Sequence, residues 1–165
     1  MRGGPSIRFG DSVNTDVIIP GRYLVSIDPA ELAEHAFEPL GPSVQAAVRS
    51  SKVIVAGKNF GCGSAREQAA SCLVGAGIEV VLARSFARVF YRNAINTGLP
   101  AIALGDGVEA IEEGAEVWVD LEAGEVRAGD VSVPFPPFPA SLRRILDAGG
   151  LIPYLARHVV GGAAS

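Results

Sequence analysis

Lys52-Val53-Ile54-Val55-Ala56-Gly57 is a run of β-branched and small apolar residues without polar alternation, the pattern of a strand buried on both faces. A second run, Ile78-Glu79-Val80-Val81-Leu82-Ala83, and a third, Ala101-Ile102-Ala103-Leu104, follow it. Between the first two lie the glycine-rich turn Asn59-Phe60-Gly61-Cys62-Gly63-Ser64 and a helically spaced stretch from Ala65 to Val74. Between the second and third, a helix opening at Ser85 carries Phe86, Val89, Phe90 and Ala94. It stops at Gly98 with Pro100 just beyond, where a helix-ending glycine belongs. Strand, helix, strand, helix, strand predicts a parallel core sheet flanked by helices, an α/β fold.

Upstream, Ser6 to Phe9 reads as a short strand that runs into the polar stretch Gly10-Asp11-Ser12-Val13-Asn14-Thr15-Asp16. Its Asp, Asn and Ser side chains can bond to nearby backbone and stabilise a turn. Val17-Ile18-Ile19 is apolar and stops at Pro20-Gly21, and Arg22 to Ser26 follows. A helix then opens with Asp28 as N-cap and Pro29 at its first position. Downstream, Glu116 to Asp120, Glu125 to Arg127 and Val131 to Val133 are short strands separated by Gly turns, which predicts a small antiparallel β appendage. Pro134, Pro136, Pro137 and Pro139 form a stiff link to a final helix, Ala140 to Ala148, closed by Gly149-Gly150. The expectation is one domain over 1–165, with residues 160–165 frayed.

The chain has 165 residues, 48% hydrophobic and 19% charged, so a buried core rather than disorder is expected. Its net charge of −4 at pH 7 argues against nucleic acid or an anionic membrane as the main partner. No apolar run approaches the ~20 residues that span a bilayer, and the opening Met1-Arg2-Gly3-Gly4-Pro5 has no signal-peptide core. A soluble, cytoplasmic chain is expected. Its two cysteines, Cys62 and Cys72, make neither a C-x-x-C pair nor, with His35 and His158 alone beside them, a zinc or iron–sulfur site within this chain.

The unusual residues concentrate between Gly57 and Glu67. A helix starting at Ser64 would present unpaired N–H groups and partial positive charge, the makings of an anion site. Gly61 and Gly63 permit positive φ and close approach of a ligand. Arg66 has the wrong sign for the first turn of a helix, which gives its guanidinium fork another task, such as holding a carboxylate. Ser64-Ala65-Arg66-Glu67 also fits a capping box, in which Ser64 and Glu67 satisfy each other's orphan donors. The two readings are compatible. Neither the P-loop, nor the dinucleotide fingerprint, nor the hydrolase elbow fits this turn. His35 and His158 read as surface or packing residues, which leaves a Ser-His-Asp triad without support.

Gly57-Lys58-Asn59-Phe60-Gly61-Cys62-Gly63-Ser64-Ala65-Arg66-Glu67-Gln68-Ala69 resembles the swivel-domain signature of the aconitase superfamily. Gly10 to Leu24, with Asn14-Thr15-Asp16-Val17-Ile18-Ile19-Pro20 at its centre, resembles the opening of that superfamily's free-standing small subunits. Arg84 to Asn93 and Asn96 to Pro100 fall where the family has corresponding segments. Within the superfamily the chain is similar to the small subunits of 3-isopropylmalate dehydratases.

The resemblance implies a swivelling β/β/α domain that closes over a separate large subunit. There a 4Fe-4S cluster is expected to bind the hydroxyl and carboxylate of the substrate, with no cofactor in this chain. It implies isomerisation of 2-isopropylmalate and 3-isopropylmalate by dehydration and rehydration, in leucine biosynthesis. Ser64 matches the family's serine base, and Arg66 its carboxylate-gripping arginine, with the N–H groups of Ala65 and Arg66 adding to the grip. The family usually has Ser-Ser-Arg-Glu-His, so Ala65 removes one hydroxyl, a loss of ~1 kcal/mol. Homoaconitase-type relatives place an arginine after the Tyr-Leu pair to meet an extra carboxylate. Val25 stands there in this chain, which suits a branched alkyl group and disfavours a third carboxylate. Arg22 is open to two readings, a substrate contact or a surface ion pair. The alternatives are a related dehydratase acting on homocitrate, citramalate or 2,3-dimethylmalate, a non-catalytic carboxylate-binding subunit, and a hydrolase using Ser64 alone.

Overall fold

The computed structural model describes residues 1–159. Seven strands form one sheet in the order β4-β3-β2-β1-β5-β6-β7. The strands are β1 (Arg2–Arg8), β2 (Val53–Ala56), β3 (Val80–Ala83), β4 (Ala101–Ala103), β5 (Glu116–Asp120), β6 (Glu125–Ala128) and β7 (Val131–Pro134). β1 joins two kinds of sheet. Its last residues pair with β2 in parallel, Ser6 beside Val53, while Arg2 to Pro5 pair with β5 in antiparallel fashion, Gly3 beside Trp118. β2, β3 and β4 continue the parallel half, and β5, β6 and β7 form the antiparallel appendage.

The apolar runs that define the fold bury alternate residues on opposite faces. Ile54, Ala56, Val81 and Ala83 join the core under the helices that follow the parallel strands. Val53, Val55, Val80 and Leu82 join a second core with Val117, Val126 and Leu146. With both faces covered, alternation vanishes from the sequence, as expected for parallel strands. Around the sheet lie α1 (Thr15–Ile18), α2 (Pro29–Ala33), α3 (Pro42–Arg49), α4 (Glu67–Gly75), α5 (Arg88–Asn96), α6 (Ala140–Asp147) and α7 (Leu151–Val159). Asp28 caps α2 by accepting from the Ala30 N–H, with Pro29 just inside, as its sequence predicts. The proline-rich link is anchored by Phe135 and Phe138, both buried and packed edge to face.

Three boundaries differ from expectation. β1 begins at Arg2 rather than Ser6, because Gly3 and Gly4, both at positive φ, let the chain lie against β5. α5 begins at Arg88 rather than Ser85, since Phe60 takes Ser85 and Ala87 into strand-like pairing first. α6 is not the last helix: α7 follows Gly149-Gly150, with its apolar Ile152, Leu155 and Val159 left exposed. Residues 160–165, expected to fray, lie outside the described residues.

Candidate active site

Three loops meet at the carboxyl ends of β1, β2 and β3, the usual place for a site in an open α/β sheet. The Lys58 N–H donates to Asp11 Oδ1 (2.7 Å), and the Ser12 N–H donates to the Lys58 carbonyl (2.7 Å). The Gly61 N–H donates to the Val13 carbonyl and the Thr15 N–H to the Cys62 carbonyl, each at 2.8 Å. On the other flank the Phe60 N–H donates to the Ser85 carbonyl (3.0 Å) and the Asn59 N–H to Ser85 Oγ (2.9 Å). The glycine turn is thus clamped between its two neighbours by backbone hydrogen bonds together with the Asp11 and Ser85 side chains.

Two glycines are required in that clamp. Gly61 has φ +81°, and a Cβ there would overlap the ring of buried Phe90, which packs edge to face on Phe60. Gly63 has φ +93°, and a Cβ would sit 2.5 Å from the Asn14 side chain. That Asn14 caps α1 by accepting from the Asp16 N–H at 2.8 Å. Thr15, buried, donates its hydroxyl to the Ser64 carbonyl at 2.8 Å and fixes the turn from below.

Ser64 and Ala65 emerge from this frame exposed, and Arg66 is mostly covered, its side chain 16% accessible. The Arg66 guanidinium donates through Nη1 to the Ile19 carbonyl (3.1 Å) and pairs with Asp16. It also lies against Gly21, where a Cβ would be 3.5 Å from Nη2. This arrangement corrects the capping-box reading. α4 starts at Glu67, with Arg66 as an extended N-cap residue (φ −135°, ψ 112°) and no side-chain cap bond. The pull of Asp16 and Ile19 on the guanidinium holds Arg66 out of helical geometry, so the helix cannot reach back to Ser64.

Arg22 and Val25 follow Gly21, which packs against the Arg66 guanidinium. Arg22 pairs with Glu38 and lies 4.7 Å from the centre of the Tyr23 ring, so the ion-pair reading describes the structure. Val25 is 95% exposed and lines a hollow of about 80 Å³ with Tyr23 and His35. Two pairings escaped the sequence reading: Asp16 with Arg66, and Glu38 with Arg22. Hydrogen bonds from Tyr23 first, then from His35 and Arg22, hold the Glu38 carboxyl below the usual carboxylate range. Of the thiols, Cys72 is buried under the Ile18 carbonyl, and burial pushes it up to about 12, while Cys62 is half-buried in the glycine turn. Among the described residues no three His, Cys, Asp or Glu side chains converge to hold a metal ion.

The Aconitase C-terminal domain family matches residues 40–106, the segment that carries β2, the glycine turn, α4 and α5. A 3-isopropylmalate dehydratase small subunit from Saccharolobus islandicus (strain M.14.25 / Kamchatka #1) is 48% identical over 154 residues, 93% of each chain. The chain belongs to the 3-isopropylmalate dehydratase small-subunit family. A small subunit of the same description from Moorella thermoacetica is 47% identical over 92% of each chain. The crystal structure of a 3-isopropylmalate dehydratase from Methanocaldococcus jannaschii superposes with a TM-score of 0.86 at 42% identity, covering 99% of this chain and 98% of that one. The resemblance read from Gly10–Leu24 and Gly57–Ala69, and the α/β swivel architecture it implies, are both borne out. Membership assigns a dehydratase, a hydro-lyase, and a chain that is one subunit of a larger enzyme. Among the described residues no helix is long and apolar enough to cross a membrane.

Proposed function

We propose that this chain supplies the base and the carboxylate grip of a two-chain active site, isomerising 2-isopropylmalate and 3-isopropylmalate in the cytoplasm. The observation that carries the proposal is the Ser64–Arg66 turn: an exposed hydroxyl on a backbone held from both sides, two residues from a guanidinium already engaged by a carboxylate. An exposed turn suits a site that a second chain completes. The partner is the large subunit, and a 4Fe-4S cluster there supplies Lewis-acid activation of the substrate hydroxyl.

The part played by this chain follows from its own atoms. Arg66 has five N–H donors. Ile19 and Asp16 both engage Nη1 and fix the plane of its fork, which leaves the donors on Nε and Nη2 to hold a substrate carboxylate. That carboxylate places the adjacent carbon over Ser64. The serine oxygen takes the proton from this carbon, the C–H electron pair becomes the new double bond, and hydroxide leaves the neighbouring carbon. Hydroxide then adds back to the carbon that lost its proton, and Ser64 returns the proton to the carbon that lost the hydroxyl, so H and OH exchange carbons and no atom is left over. The backbone N–H groups of Ala65 and Arg66 add to the grip on the carboxylate. Ala65 leaves the substrate without a second hydroxyl, so Arg66 and backbone N–H groups carry the binding.

Ser64→Ala, assembled with its large subunit, tests the assignment. Turnover is expected to fall by at least ~10²-fold, while complex formation, read by size-exclusion chromatography, stays unchanged because the turn is held through the Ser64 carbonyl. Retained turnover would remove Ser64 from the base role and favour a carboxylate-binding subunit.

A further inference from the structure

Tyr23 stands at the entrance to an exposed apolar turn, and its side chain is fixed from several directions. Its ring stacks on the His35 imidazole, with centroids 3.6 Å apart and planes within 5°. Its hydroxyl donates to both carboxylate oxygens of Glu38, each at 2.8 Å. The same carboxylate lies 2.8 Å from His35 Nδ1 and pairs with Arg22. One carboxylate therefore binds three side chains and ties residues 22–23 to residues 35–38. The chain accepts backbone strain to make this junction. Phe37 has φ +56°, a conformation that disfavours a bulky residue and persists only where packing enforces it. Full burial and stacking on Phe9 supply that packing.

Beyond the junction the chain displays Val25 and Ile27, 95% and 84% exposed. Val25 lines a hollow whose wall includes Tyr23 and His35. Ile27 lines a cleft of about 280 Å³ with Glu67, Gln68 and Ser71, which follow directly after Arg66. A surface ion pair by itself stabilises a fold very little, and a four-residue cluster resting on a strained Phe37 exceeds what solubility needs.

We propose that Glu38 is a positioning residue for substrate selection: it fixes Tyr23, and through Tyr23 the 24–27 turn, so that Val25 and Ile27 form the apolar lip that accepts the branched alkyl group of an alkylmalate. The proposal rests on the function assigned above for the presence of an alkylmalate beside Ser64 and Arg66, whereas the junction rests on contacts within this chain. Glu38 touches no substrate. It acts through the hydroxyl of Tyr23, so its loss loosens the lip and leaves the base in place.

The test uses Glu38→Gln and Tyr23→Phe in the full chain assembled with its large subunit. KM for 3-isopropylmalate is expected to rise roughly tenfold in both, with kcat within about twofold of wild type, and the preference for 3-isopropylmalate over citramalate to fall by a similar factor. Amide hydrogen exchange at residues 24–27 is expected to quicken in both variants. An unchanged preference in both variants overturns the proposal, and so does unchanged exchange. A wild-type assembly that dehydrates no alkylmalate overturns the assigned function instead, while the exchange measurement still decides whether Glu38 holds the turn. Two variants with different lesions guard against one that fails to fold.

Discussion

Arg66 sits one residue before a helix begins, where the helix field is least favourable to a cation. Its retention there is explained by two acceptors distant in sequence, Asp16 and the Ile19 carbonyl. Lysine keeps the charge but loses the fork, and one ammonium cannot span Asp16, Ile19 and a substrate carboxylate together. Arg66→Lys is therefore expected to lower kcat/KM by roughly 10- to 100-fold, mostly through KM, with little change in the unfolding midpoint. Steady-state kinetics on the assembled enzyme read this directly, and an unchanged KM would show that the guanidinium serves Asp16 alone. The roles expected of Ser64 and Ala65 come from the resemblance, whereas the glycine turn and Arg66 were legible in the sequence itself because paired glycines and wrong-sign charge are local anomalies. Asp16 and Glu38 were not, because a carboxylate in a polar loop shows no sign of its partner until the fold brings the two together.

At the scale of elements, the parallel strands were readable because burial on both faces removes polar residues from them. The start of α4 was misplaced because Ser64-x-x-Glu67 fits a capping box locally, and local fit lost to the tertiary pull on Arg66. β1 was read too short because Gly3-Gly4-Pro5 lacks strand-forming side chains, and its pairing with β5 is non-local. α7 was missed because its apolar residues face outward and Gly149-Gly150 looks like an ending. The glycine turn joins the two halves of the site, and Gly61 is its least replaceable position. Alanine there meets both positive φ and the Phe90 ring. Gly61→Ala is expected to destabilise the chain by about 1–3 kcal/mol, visible as a lower midpoint in urea with an unchanged slope. An unchanged midpoint would mean that Phe90 swings away and the turn relaxes at little cost.

The whole molecule presents the Ser64–Ala65 turn, Val25 and Ile27 on open surface, and that exposure argues for a second chain. A base in bulk water is solvated and leaks protons, and a guanidinium there binds carboxylate weakly. Closing the surface strengthens both interactions by excluding water. The isolated chain is therefore expected to be inactive, as is the large subunit alone, with turnover appearing only when the two are mixed under anaerobic conditions with the partner's cluster reconstituted. Alkene absorbance reads the reaction. 3-Isopropylmalate should outpace citramalate, whose smaller alkyl group leaves the lip partly unfilled, and homocitrate, whose third carboxylate meets Val25 without a partner and loses its hydration. Faster turnover of another malate would keep Ser64 and Arg66 in their roles and reassign the lip. Activity of the isolated chain would be a deeper contradiction, since a complete site would then have to exist on a surface that this fold leaves uncovered.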